Sequence, residues 1–509
     1  MTSSSSGPTA PENPTGEQPL TLSDDKMPMA DKLTIGALLV ATFVMILNET
    51  IMNVALHPLM EEFGVHETTV QWLTTAFMLT LAVVIPTTGY IIQRFSLRGV
   101  FTTAMALFIA GTALAAFAPD FPFLVAGRVI QAAGTAIMLP LLMTTVLTLV
   151  PLRRRGVVMG NIAIVISVAP ATGPTVSGLI LSIADWRWMF GVILPIAILA
   201  MVLGRPNLDK TPGSAEKGIN IPSLLLAVPG FGGIVYGISQ IGGGHGTEDM
   251  DLEEAAPGVD PLAIGVLGLG LVCVAAFVIL QLRLQKSESA LLNLKPFSYT
   301  QYTRALLMML LMMVALFGAL ILLPLFLQHE AGHELEPLQT GLLLLPGGLL
   351  MALMAPFVGR LYDRVGPRPL VIPGAVILAS SMFALSLLEP GSPIWMVLVM
   401  HIVLSGGLAL LFTPAFTTAM NPLPQHLYSH GSAVLNTLQQ LFAAIGTAAL
   451  VAVVGIGSAA SAARGADPDT AAMDGFSVAF LVAAVLSIGT LLLGMTLRAT
   501  KAEENDDAA

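Results

Sequence analysis

The sequence predicts an all-α polytopic membrane protein with fourteen transmembrane helices, and three observations predict it. Of 509 residues, 55% are apolar and 11% are charged, whereas soluble domains keep about 25% charged residues. Apolar runs recur at about the 20-residue length that a helix needs to cross the hydrocarbon core. These runs lack the period-two alternation of barrel strands and far exceed their length of roughly 10 residues, so helices must carry them.

The spans are expected near 34–56, 69–92, 99–118, 122–149, 157–183, 188–204, 219–240, 261–282, 303–327, 338–361, 369–388, 393–419, 430–457 and 475–497. Residues 1–30 are rich in Ser, Pro, Thr and acid and have no basic region leading into a short apolar core. They are read as a disordered tail, not a signal peptide. Charge or turn residues separate the spans, among them Arg94 and Arg98, Arg153 to Arg155, Arg205 to Lys217, Glu248 to Asp260, Arg283 to Lys295 and Asp363 to Arg368. An acidic tail follows at 499–509. The single cysteine, Cys273, lies in the eighth span, which excludes an intramolecular disulfide and a cysteine metal cluster.

Basic short loops stay cytoplasmic, so Lys and Arg placement sets the expected orientation. Nineteen of the 22 fall on one side, from Lys26 and Lys32 at the start to Arg498 and Lys501 at the end. Arg187 and Arg464 fall on the other side, and Arg128 lies inside the fourth span. Both termini are therefore expected in the cytoplasm, with the chain in a bacterial inner membrane. The outer loops carry acid, at Glu61, Glu62 and Glu67 and again from Glu248 to Asp260. The net charge of −10 comes largely from tails and outer loops and gives no sign of nucleic-acid binding.

Gly89-x-x-x-Gln93-Arg94-x-x-x-Arg98 after the second span has the spacing of Gly359-x-x-x-Asp363-Arg364-x-Gly366-x-Arg368 after the tenth, 270 positions later. At nearly the same displacement the first span maps onto the ninth, the fourth onto the twelfth, and the fifth, from Gly160, onto the thirteenth near Gly431. The seventh and eighth have no counterpart. The expected organisation is a six-helix bundle at 31–206, an inserted helical pair with linkers at 207–298 and a second six-helix bundle at 299–498. Repeat-built bundles of this kind recur in transporters that rock around a midplane site.

In these features the chain resembles the major facilitator superfamily, and within it the fourteen-spanning drug:proton antiporters, nearest in pattern to the lincomycin-resistance type of multidrug exporter. The resemblance runs across 34–497. It implies a major facilitator fold and a monomeric, non-enzymatic exporter of small molecules that uses no cofactor and is driven by the proton gradient.

The superfamily's loop signature, Gly-x-x-x-Asp-Arg-x-Gly-x-Arg, is intact at Gly359, Asp363, Arg364, Gly366 and Arg368. In the first half Gln93 stands for Asp and Ser96 for Gly. The resemblance assigns Gly89, Arg94, Arg98, Gly359, Asp363, Arg364 and Arg368 to gating of the cytoplasmic face. In the fourth span Arg128-Val-Ile-Gln131-Ala-Ala-Gly134 is similar to Arg-x-x-Gln-Gly-x-Gly, with Ala132 for the first glycine. A guanidinium in a membrane helix costs from about 3 to more than 10 kcal/mol, so Arg128 should face protein or water and have a partner, or reach the outer headgroups. The fifth span carries Ala169-Pro170-Ala-Thr-Gly173-Pro174-Thr-Val-Ser177-Gly178, then Trp186-Arg187-Trp188. This is similar to the antiporter signature Gly-Pro-x-x-Gly-Gly, with Ser177 for one glycine. Its prolines remove backbone donors, while Gly173 and Gly178 are expected to let a facing helix approach.

Leu47-Asn48-Glu49-Thr50-Ile51-Met52-Asn53-Val54-Ala55-Leu56-His57-Pro58 is similar to the family's Leu-Asp-x-Thr-x-x-Asn-x-Ala-Leu-Pro. Asn48 stands where the family has Asp, and a carboxylate follows at Glu49, about 100° around the helix. Of 32 acidic residues, Glu49 alone falls well inside a predicted span. Such a group must be protonated, solvated or matched by a cation. Glu49 and Arg128 are the residues expected to couple transport to protons. Asn48, Asn53, Gln131, Asn161, His401, Asn436 and Gln439, together with Gln71 and Gln440, are candidates to line the substrate cavity or to bond helices together. Met308, Met309, Met312 and Met313 offer an adaptable apolar wall.

A rival reading comes from His329-Glu330-Ala-Gly-His333, which matches the zinc-protease pattern His-Glu-x-x-His. That chemistry needs both histidines on one helix face, whereas Gly332 and Pro337 favour a loop. A transporter of the same mechanics that exports an endogenous lipid or metabolite is the nearer alternative.

Overall fold

The computed structural model describes residues 28–65, 67–70, 72–151, 154–208, 220–241, 261–287, 290–329, 332–335, 337–389 and 391–498. Among them, fourteen long helices follow one another and no strand occurs. They are α1 (Met29–Ile51), α2 (Trp72–Arg94), α3 (Leu97–Ala116), α4 (Phe121–Leu149), α5 (Arg155–Ile183), α6 (Arg187–Gly204), α7 (Ile221–Ile241), α8 (Pro261–Leu284), α9 (Thr300–Gln328), α10 (Pro337–Val365), α11 (Arg368–Leu385), α12 (Ile394–Met420), α13 (Tyr428–Ala462) and α14 (Pro468–Thr496). Thirteen are long and apolar enough to cross a membrane on those grounds alone, and α5 adds a fourteenth helix of 29 residues. The acidic tail at 499–509 and all but the last three residues of the predicted tail at 1–30 lie outside the described residues, as does the acidic stretch at 242–260.

Helix starts follow local chemistry. Ser96, Asp120 and Asp467 each accept a hydrogen bond from the backbone N–H three residues on, which caps α3, α4 and α14. The first predicted span, 34–56, is shorter as an α-helix than expected. α1 stops at Ile51, Met52–Ala55 forms a 3-10 turn, and a second helix runs over Leu56–Phe63. Pro58, in the first turn of that second helix, has no N–H to give and its ring crowds the carbonyl four residues back, which favours a break at this point.

α1 to α6 pack into one bundle, through α1 with α4, α5 and α6, α2 with α4, and α3 with α4 and α6. α9 to α14 pack into a second, through α9 with α12, α13 and α14, α10 with α12, and α11 with α12 and α14. The bundles meet along two seams. One is α5 against α10 and α12, and the other is α13 against α2 and α4. The inserted pair lies on the second seam, where α7 touches both α2 and α13, while α8 leans on α7.

Alternating helix direction places Arg94, Arg98, Arg154, Arg155, Arg205, Arg283, Arg304, Arg364, Arg368 and Arg498 at one end of the molecule, termed the basic end. There the α5–α10 seam is drawn tight by small residues. A Cβ on Gly359 would overlap the Gly156 carbonyl, and one on Gly160 would overlap that of Ala355. Lipid supplies no hydrophobic drive between helices, so such backbone contact is what holds them. Gly359→Leu is expected to lower stability by about 1–3 kcal/mol through overpacking, read as a fall in the melting temperature of the purified protein.

Candidate functional site

Two constellations stand out, a polar layer deep in the first bundle and a clasp at the basic end. The layer is built on α4. Arg128 lies two turns into that helix and is 1% exposed. Its Nε donates to the Leu73 carbonyl of α2 at 3.4 Å and its Nη1 to Gln131 Oε1 at 3.1 Å. Gln131 Nε2 donates in turn to Thr112 Oγ1 of α3 at 2.8 Å. The guanidinium also lies over the Phe77 ring, 4.1 Å from its centroid. Arg128 therefore turns into the bundle and does not reach for headgroups.

Glu49 sits on the last turn of α1, just before the 3-10 break. It is half-buried and hydrogen-bonds to none of the described residues. Arg128 is close enough for the two charges to act on each other, yet no ion pair within 4.0 Å joins them among the described residues. Beside it, Asn48 is 1% exposed, and neither its amide oxygen nor its nitrogen has a partner. A buried amide with both ends unmatched is costly, and it stands where the family pattern has a carboxylate. Thr50 Oγ1 donates to the Ala169 carbonyl of α5 at 3.4 Å. Gly173 makes room for Thr50, so the proline-glycine segment of α5 abuts the turn that carries Glu49.

α5 runs helical through positions 170 and 174, and the side chains of Pro170 and Pro174 lie outside the described residues. Ser177 is buried and its hydroxyl meets Met189 Sδ at 3.1 Å. Gly178 departs from the expected close approach, since no described atom stands within 4 Å of where its Cβ would be.

The other polar candidates that are described lie on α5, α12 and α13. Asn161 is exposed. Asn436 is buried and its amide donates back to the Ser432 carbonyl at 2.8 Å. His401 Nε2 meets the Leu344 carbonyl at 3.0 Å, and its ring fits over Gly347. Gln439 is half-buried with Nε2 unpartnered, and Thr437 Oγ1 nearby is unpartnered too. The Asn53 side chain and Gln71 lie outside the described residues. The four methionines of α9 are all nearly or fully buried.

At the basic end the two halves of the loop signature act differently. Asp363, at the end of α10, accepts from the backbone N–H of Gly156 at 3.0 Å and of Val157 at 3.3 Å. It thereby caps the first turn of α5 from the opposite bundle, with its negative charge at the positive end of the helix. Gln93, in the matching place on α2, donates through Nε2 to the His426 carbonyl just before α13, at 2.7 Å. The neutral amide bonds across the seam without supplying charge. Gly89 fits against His430 and Ala433 of α13. Arg155 donates to the Leu147 and Val150 carbonyls and lies over Tyr428, 5.1 Å from its ring centroid. Arg98 Nη2 donates to the Pro206 carbonyl at 2.7 Å, and Arg368 Nε donates to the Leu497 carbonyl after α14. Arg94 and Arg364 are exposed. The partners of Asp363 escaped sequence reading because they are backbone groups, although Gly156, which leaves the helix start open to approach, was a visible signal.

The His-Glu-x-x-His pattern falls where α9 ends. His329 is its C-cap, with ψ of 145°, and the described part of the segment is not helical. Its two histidines pack on Phe476 and Phe326, Glu330 lies outside the described residues, and no metal-binding cluster occurs among the described residues. The helix face that zinc-protease chemistry needs is absent there.

The family profile described as Major Facilitator Superfamily matches residues 38–447. The chain is similar to lincomycin resistance protein LmrB of Listeria monocytogenes, with 38% identity over 473 residues that cover 92% of this chain and 97% of the relative. It is also similar to the multidrug resistance protein B homolog of Mycobacterium tuberculosis, with 28% identity over 83% of this chain and 76% of that one. Among solved structures, the human organic anion transporter MFSD10 superposes with a TM-score of 0.65 at 14% identity, covering 91% of this chain and 99% of the other.

Asp363→Asn removes the charge from the α5 start. A charge at a helix terminus contributes about 0.3–1 kcal/mol, so alkylation of a cysteine placed at the buried Ala355 is expected to speed up by about two- to fivefold.

Proposed function

The chain belongs to the Major Facilitator Superfamily and is a multi-pass membrane transporter, and on that premise we propose that it exports drug-like neutral or monovalent cationic amphiphiles in exchange for protons. The cytoplasm lies at the basic end in this reading, as the placement of Lys and Arg favours, and the membrane is a bacterial inner membrane.

The observation that carries the proposal is the state of Glu49. It is an acid on a membrane helix, half-buried, with a fixed cation in electrostatic range but not in contact. Arg128 already has its own acceptors in Leu73 and Gln131, so protonating Glu49 breaks no ion pair. With Glu49 ionised, the layer offers a carboxylate that no cation among the described residues contacts. With Glu49 protonated, the layer carries the single positive charge of Arg128. A cationic cargo drawn in by the carboxylate is repelled once a proton takes its place, which makes proton and cargo competitors for one site. The names of the drug-resistance relatives support the choice of cargo class.

Alternating access then needs the clasp to open. Asp363 on the first turn of α5, and Gln93 at the foot of α13, join the bundles where the cytoplasmic mouth would form. Rocking of the bundles would part these contacts and expose the layer to the cytoplasm.

Glu49→Gln is expected to abolish proton-coupled efflux of a monovalent cationic dye in inverted vesicles, and undiminished coupling would refute the scheme. One carboxylate cannot neutralise two positive charges in a medium of low dielectric. Cells that express the protein are thus expected to gain little or no protection against a dicationic antiseptic, tested beside a monocationic compound of similar apolar bulk.

A further inference from the structure

α13 and α14 cross at Gly457 and Gly475, where a Cβ on either glycine would press on the facing backbone. Beside this crossing is a cleft of about 530 Å³, within the usual size range of small-ligand sites. Its walls include Val453, Ile456 and Ala460 from α13 and Val478 and Val482 from α14. Ile456 is 69% exposed and Val478 42%, so the cleft faces away from the protein, toward the bilayer.

At its mouth stand Arg464 and Asp474. α13 has 35 residues and so is about 52 Å long, more than the roughly 40–45 Å of a whole bilayer. Such a helix spans the hydrocarbon with length to spare, so Arg464, just past its end, lies outside the hydrocarbon on the side opposite the basic end. Its guanidinium is mostly exposed and 3.8 Å from Asp474, and among the described residues it makes no hydrogen bond. Arg187, the other basic residue at this end, is already held by Glu62 at 2.8 Å and Asp185 at 3.1 Å. Asp474 is fixed by a hydrogen bond from the Ser461 hydroxyl.

We propose that this cleft is a site for a phospholipid with a zwitterionic, primary-ammonium headgroup. One acyl chain fills the apolar groove. The phosphate accepts from Arg464 and the ammonium donates to Asp474, so each charge of the headgroup meets its opposite. A headgroup with a phosphate and no ammonium would leave the Asp474 carboxylate facing an anion. The site is independent of the transport reading, since it lies outside both seams.

The test is native mass spectrometry of the purified full chain, titrated with dioleoyl phosphatidylethanolamine or with the matching phosphatidylglycerol. One ethanolamine lipid is expected to bind more tightly than the glycerol lipid. Arg464→Gln, on an exposed side chain, should weaken it about tenfold, the effect of losing one charged hydrogen bond. Asp474→Asn should bring the two lipids to similar affinity, and Ala460→Trp or Val482→Trp, from opposite walls, should exclude both. Equal binding of the two lipids by the wild-type protein would overturn the proposal, as would full ethanolamine-lipid binding in Arg464→Gln or in a tryptophan variant that melts like the wild type.

Discussion

Inside a bilayer there is no water to complete an unfinished hydrogen bond or to screen a charge, and this constraint shapes each part of the molecule. The backbone answers it by staying helical through nearly all of the described length. Arg128 answers it with a carbonyl, an amide and a ring face. Glu49 and Asn48 are exceptions within this layer, one a carboxyl without a hydrogen bond among the described residues and the other an amide with both ends unmatched. They are neighbours in the chain, at the point where α1 gives way to a 3-10 turn. Unpartnered polar groups also occur elsewhere, as at Thr437 and Gln439 of α13, but within this layer they sit together at a break in the helix.

The two bundles repeat each other in outline but not in chemistry. On the α5–α10 seam the connection is a full charge set against a helix start, made possible by glycines that bring the backbones together. On the α2–α13 seam it is an amide to a carbonyl. The first is electrostatic and responds to ionisation, whereas the second is neutral and depends on geometry alone. The two seams need not release together.

Much of the fold was legible because membrane helices are written in apolar runs about 20 residues long, interrupted by charges that must sit outside the lipid. The repeat was legible because Gly359, Asp363 and Arg368 keep the spacing of Gly89, Gln93 and Arg98. The break after Glu49 was signalled by Pro58, but the reading extended the helix through it, since apolar composition does not register backbone geometry. The site was legible in its charged members, because a charge in an apolar run stands out. Its connections were not. That Gln131 holds Arg128 and Thr112, or that Asp363 reaches the backbone of Gly156, depends on which helices are neighbours, and periodicity along one helix cannot tell which partner faces it.

The inserted helices give the molecule a front and a back in the plane of the membrane. Among the described residues α7 lies across the junction of α2 with α13, whereas neither inserted helix packs substantially on the junction of α5 with α10. Seen from the lipid, one seam is covered by a further helix and the other is closed by its own glycine contacts, so the two sides of the molecule present different surfaces to the membrane.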